Sequence, residues 1–161
     1  MNQLIVYSDS DYAASTEDHW CHFGYVFILN GGAVSWASIK QTSNVNAATE
    51  AEYIAACEGG KKVVFLHEIL YILWPKDHLP VTLRGENEGF IALARNPEFH
   101  KRSKHIDTRY HYIRQLLADS LISIQHVPTK DMVANILTKP LKPSVFGLLL
   151  KKMVVRPISL N

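Results

Sequence analysis

Acidic residues recur where short apolar runs end. Asp9 and Asp11 close the run LIVYSDSD, and Glu50 and Glu52 sit two apart in the helix-forming stretch ATEAEYIAACEGG. Glu86 and Glu88 follow VTLRG, and Asp131 and the amide Asn135 fall in a later segment. Residues i and i+2 of a helix point in nearly opposite directions, so Glu50 and Glu52 cannot share a face. One of them can face solvent while the other faces a site. Carboxylates drawn from separate segments repel one another unless a cation lies among them. Hard oxygen donors of this kind suit Mg²⁺ or Mn²⁺. Two such ions about 4 Å apart can activate a water and stabilise a leaving oxygen, as phosphodiester cleavage requires.

The elements that must position these acids follow from periodicity. Leu4 to Asp11 alternates and reads as a strand with carboxylates at its C-terminal end. GYVFILNGGAVSWAS, Gly24 to Ser38, is two β-rich runs around Asn30-Gly31-Gly32, a strong hairpin signal. From Asn46 to Trp74 the apolar period becomes helical. Gly59-Gly60 interrupts it, and each internal Gly costs about 1 kcal/mol against Ala, so a kink or two helices are expected. Val81 to Glu86 is a short strand, Asn87 to Asn96 a short helix stopped by Pro97, and Asp107 to Asp119 a helix that Asp107 or Thr108 can cap. Leu121 to Val127 alternates as a last strand, Thr129 to Lys139 reads as one helix, and the tail 142–161 adds a further helix around Phe146 to Met153. Three consecutive strands followed by alternating elements predict an α/β domain, a mixed sheet with helices on its faces.

With 161 residues, the chain fits one domain, residues 1–161, with a real core. No apolar run approaches a membrane span, and the N-terminus lacks the pattern of a signal peptide. Cys21 and Cys57 make neither a disulfide framework nor a zinc motif, which points to a reducing compartment, cytoplasm or nucleus. His100, His105 and His111 lack tight metal-ligand spacing. The formal net charge is only +2, but it is unevenly spread. HKRSKHIDTRYHYIR gathers Lys101, Arg102, Lys104, Arg109 and Arg114 around one acid, Asp107, with Tyr110 and Tyr112 interleaved. Such a stripe is either a solvated helix face or a footprint for a phosphate backbone.

The blocks YSDSDYA, GYVFILNGGAVSWAS, TEAEYIAA, IALARNPEFHKRSKHIDTRYHYIR and HVPTKDMVANILTKPL resemble, in order, the ribonuclease H domain of the Pol polyprotein of copia-type LTR retrotransposons. The likeness runs from about Leu4 to Leu150. It implies a ribonuclease H-like fold: a five-stranded mixed sheet, three antiparallel strands then parallel ones, flanked by helices. It also implies four acids that hold two Mg²⁺ or Mn²⁺ ions and cleave RNA in an RNA–DNA hybrid. Carried over residue by residue, the first acid is Asp9, with Asp11 accessory, and the second is Glu52 rather than Glu50. The resemblance also turns the basic stripe, with Tyr112 or Tyr110, into a nucleic-acid contact.

Two acid positions depart from the family. Where copia-type domains read YCDNQSAIALA this chain reads RGENEGFIALA, so the third acid is Glu86. Where they read ADILTKPL it reads ANILTKPL, so the fourth is Asn135. A Glu carries its carboxylate one carbon further than Asp, about 1.5 Å, and Asn offers a carbonyl oxygen without charge. Together these changes are expected to weaken or abolish cleavage. The segment EDHWCHFGYVF also replaces the usual DDRKSTSGYVF, losing groups suited to nucleic acid and adding Trp20 and Phe23. If exposed, these two would form an apolar patch for a protein partner. The chain begins almost at the first strand, with nothing of a polymerase before it. Two readings remain open: a metal-dependent nuclease, and an inactive domesticated domain that binds nucleic acid or protein.

Overall fold

In the computed structural model, residues 3–12, 21–40, 47–75, 80–96 and 107–154 are described. Strand β1 (Leu4–Asp11) pairs along its full length with β2 (His22–Leu29), antiparallel, with Asp9 opposite Gly24. β2 turns back into β3 (Gly32–Lys40) through Asn30 and Gly31, at φ 51° and 92°. Positive φ at both central residues is what a tight type I′ hairpin requires, and Asn-Gly meets it with little strain. β4 (Val81–Gly85) lies parallel to β1, and β5 (Ile122–His126) parallel to β4, giving the order β3-β2-β1-β4-β5.

The crossover from β3 to β4 runs through α1 (Ala48–Leu73), one uninterrupted helix of 26 residues. The helix is not divided in two at Gly59-Gly60. Both glycines are buried, and they serve close packing. A Cβ on Gly60 would stand 3.0 Å from Leu116 Cδ1 and 3.2 Å from Ile113 Cδ1, while one on Gly59 would touch Val6 and Tyr25 at 3.7 Å. Burial of the helix face on the sheet outweighs the intrinsic cost of about 1 kcal/mol per glycine.

α2 (Glu88–Arg95) is capped by Asn87, whose side chain accepts from Phe90 N at 2.9 Å. α3 (Asp107–Ala118) completes the layer that α1 and α2 begin. Val6, Phe27, Tyr53, Leu83, Phe90, Ile113 and Ile124 form the core between this layer and the sheet, with Tyr53 edge-on to Phe90 at 5.2 Å. Phe23 is buried against Ile54 and Ala55, so it offers no exposed patch, and Trp20 lies outside the described residues.

The opposite sheet face is covered by the C-terminal segment. The single helix expected over Thr129 to Lys139 is replaced by a 3-10 turn (Thr129–Asp131) and the four-residue α4 (Asn135–Thr138). Between them Met132 leaves helical geometry at ψ 95°. Met132, Val133 and Ala134 are all buried, with Tyr7, Val26, Ile28 and Val127. The extended backbone at Met132 breaks the helical path, and all three side chains pack down with the sheet residues. α5 (Pro143–Lys152) follows, starting three residues before the expected Phe146, with Pro143 in its first turn. Ala33 N donates to Met153 O at 3.2 Å, tying the end of this segment to β3. Among the described residues no helix is long and apolar enough to cross a membrane.

Candidate metal centre

β1 outruns its parallel neighbour. The β1–β4 pairing ends at Tyr7 with Arg84, so Asp9 stands two residues beyond it and Glu86 follows the last residue of β4. The C-terminal ends of parallel strands are where open α/β sheets leave a crevice. Glu52, near the start of α1, reaches this edge from one sheet face, and α4 reaches it from the other. Carboxylate oxygens of Asp9, Glu52 and Glu86 all lie within 4.8 Å of one another. Asp9 is 0% exposed and Glu52 5%, while the Glu86 side chain is one-fifth exposed at 21%. Of Glu50 and Glu52, it is Glu52 that joins the cluster. Glu88 is exposed on α2, and Asp131 is paired with Lys152 near the surface.

Each carboxylate is held by specific neighbours. Ser10 N donates to Glu52 Oε1 at 3.3 Å. The Thr138 hydroxyl donates to Asp9 Oδ2. Lys139 Nζ lies 3.5 Å from that same Oδ2 and 3.8 Å from Glu86 Oε1. Burial, then the charge of Asp9, pushes the Glu52 carboxyl up to about 8; the Ser10 N–H opposes this and Glu86 adds to it. Asp9 Oδ1 and Glu86 Oε2 are buried with no hydrogen-bond partner among the described residues. Unpartnered carboxylate oxygens and a carboxyl driven toward protonation are what crowded acids show when no divalent charge offsets them. The donor set, all hard oxygens, fits a divalent cation such as Mg²⁺ or Mn²⁺.

Asn135 stands one turn before Thr138 on α4. Its Nδ2 donates to Thr129 O at 3.2 Å, and its buried Oδ1 accepts no hydrogen bond from the described residues. The sequence does not single out Thr138 and Lys139, although both lie in the block ANILTKPL. Their i+3 and i+4 spacing from Asn135 was the available signal. Nor does the sequence single out Gly24. A Cβ there would stand 2.7 Å from Leu137 Cβ and 3.2 Å from Thr138 Cγ2. The bare backbone of β2 therefore lets α4 approach and sets Thr138 against Asp9.

The basic stripe divides. Lys101, Arg102 and Lys104 lie outside the described residues. Arg109, half-buried on the first turn of α3, is near enough to α1 for its charge to act on Cys57 and Lys61. The Tyr112 hydroxyl donates to Gly60 O at 3.4 Å. Arg114 Nη2 donates to Leu93 O and Asn96 O, both at 2.8 Å, holding α3 to the end of α2.

This sheet order and its flanking helices match solved ribonucleases H. Ribonuclease H1 of Halobacterium salinarum NRC-1 aligns over 84% of this chain and 94% of its own, with a TM-score of 0.63 at 17% identity. LC11 ribonuclease H1, solved in complex with an RNA/DNA hybrid, aligns over 84% and 94%, with a TM-score of 0.58 at 16% identity. The protein thus has the ribonuclease H fold. Its sequence relatives narrow this further. The Pol polyprotein of transposon TNT 1-94 from Nicotiana tabacum is 35% identical over 144 residues, 88% of this chain. That of transposon RE2 from Arabidopsis thaliana is 36% identical over 143 residues, 89% of the chain. Over nearly its whole length the chain is thus similar to a segment of copia-type retrotransposon Pol polyproteins, and it carries the ribonuclease H fold. It spans about a tenth of the length of these relatives, 11% and 10% respectively. No family model matches the chain.

Proposed function

We propose that this domain is a metal-dependent ribonuclease H that cleaves the RNA strand of RNA–DNA hybrids, with a rate held low by Glu86 and Asn135. The observation that supports it best is the convergence of Asp9, Glu52 and Glu86 at the open end of the parallel strands. A divalent cation held there would supply a polarised phosphodiester and a water of lowered pKa. The chain's own contribution is placement. Thr138 orients Asp9, the Ser10 N–H orients Glu52, and the low exposure of both excludes bulk water from their oxygens. Glu86 reaches from a loop with one more methylene than the family's Asp. A misplacement of order 1 Å in such a site costs roughly a hundredfold in rate. Asn135 leaves one fewer negative charge to attract cations. The hybrid would lie along the Arg109 side of α3, with Lys101, Arg102 and Lys104 as further phosphate contacts.

Cleavage of an end-labelled hybrid by the full chain, in Mg²⁺ and in Mn²⁺, tests this. Slow cleavage that Asp9→Asn abolishes is expected. No cleavage at high protein concentration in either metal overturns the enzymatic reading. A second reading, a binding module without turnover, is favoured by the ammonium of Lys139 already bridging Asp9 and Glu86. Trp36, Val34, Ile72 and Leu73 also leave apolar surface exposed on β3 and late α1, suited to a protein partner.

A further inference from the structure

We propose that Lys139 is a fixed positive charge in place of one of two cations, so that the centre takes a single divalent ion. This rests on the reading of Asp9, Glu52 and Glu86 as metal ligands. Asp9 and Glu86 each present their two oxygens to different surroundings. Asp9 Oδ2 and Glu86 Oε1 face Lys139 Nζ, at 3.5 and 3.8 Å. Among the described residues, Asp9 Oδ1 and Glu86 Oε2 are buried and without a hydrogen-bond partner. The first pair of oxygens is served by the ammonium and by the Thr138 hydroxyl. The second pair, with the Glu52 carboxylate, remains for one ion. An ammonium and a divalent ion cannot both sit between Oδ2 and Oε1.

Charge agrees with the geometry. Three ionised carboxylates are neutralised by one divalent ion and one ammonium, because the fourth family acid is the neutral Asn135. A second divalent ion would leave the partly buried centre with excess positive charge. Lys139 is also held at its root. It is the residue that ends α4, and its N–H donates to Asn135 O at 3.3 Å. α4 in turn is seated on β2 by Gly24.

The test is to count bound Mn²⁺ on the full chain by electron paramagnetic resonance of the free ion. One Mn²⁺ is expected on the unaltered protein and on Lys139→Arg. Two are expected on Lys139→Met, the second roughly tenfold weaker. Two ions on the unaltered protein, or one on a Lys139→Met variant with a cooperative melt, overturns the proposal and leaves the metal-ligand reading standing. No bound Mn²⁺ at millimolar concentration overturns both. If Lys139→Met does not fold, nitrogen-detected NMR of the lysine ammoniums decides with the unaltered protein. One equivalent of Mg²⁺ is expected to leave the ion-paired Lys139 signal in place, and its release into the solvent-exchanging lysine envelope overturns the proposal.

Discussion

Glu52 shows how one residue links the fold to pH. The folded chain holds its carboxyl up to about 8, through burial and the nearby charge of Asp9. The unfolded chain releases that proton in the ordinary carboxylate range. Between those limits the folded state binds more protons, so stability falls as pH rises through the window. In the presence of a chelator, the melting temperature is therefore expected to drop from about pH 5 to about pH 8. Glu52→Gln should flatten this slope, and saturating Mg²⁺ at the upper pH should recover most of the loss, by favouring the ionised form. Scanning calorimetry across pH measures all three. A slope that persists unchanged in Glu52→Gln would assign the effect to other groups.

At the scale of elements, α4 is the piece on which the centre depends, and it is only four residues long. A helix this short has no independent stability, so packing holds it. Leu137 and Thr138 press on the bare backbone of Gly24 across from Asp9. Gly24→Ala would bring a Cβ to 2.7 Å from Leu137 Cβ, a distance that requires a shift. Overpacking of this kind costs about 1–3 kcal/mol. The expected outcome is a lower denaturant midpoint at unchanged m-value, with Mn²⁺ affinity reduced more than stability alone explains, because Thr138 and Lys139 move with α4. Equal stability and equal Mn²⁺ affinity would show that α4 does not need this close approach. Gly60 makes the same point in the other layer. The sequence reads it as a helix breaker, whereas the fold uses it to admit Ile113 and Leu116 of α3.

For the whole molecule, the question is how a nearly neutral protein would hold a polyanion. Local charge on and before α3 would have to supply the attraction. Hybrid binding is expected to weaken steeply with salt, in proportion to the number of phosphates neutralised. Arg109→Ala should lower the slope of log affinity against log salt by about one. Arg114→Ala should instead leave the slope alone. It removes the tie between α3 and the carbonyls of Leu93 and Asn96, and should cost about 1–3 kcal/mol of stability. Titrations at several salt concentrations, paired with melts of each variant, separate the two. A salt-independent affinity would instead favour a protein partner on the exposed apolar surface of β3 and late α1.

Much of this molecule is determined by the sequence alone. Alternation in Leu4–Asp11, the Asn30-Gly31 turn and the stop at Pro97 act between near neighbours, so the strands, the hairpin and α2 are legible from order and spacing. The acids Asp9, Glu52 and Glu86 are legible too, through the blocks that resemble a known domain. The tertiary structure alone decided that α1 runs unbroken through two glycines, that the segment after β5 breaks around Met132, and which carboxylate oxygens are already engaged. Thr138 meets Asp9 across 129 positions of chain. Such meetings depend on how closely two surfaces pack, and local spacing carries no information about that distance.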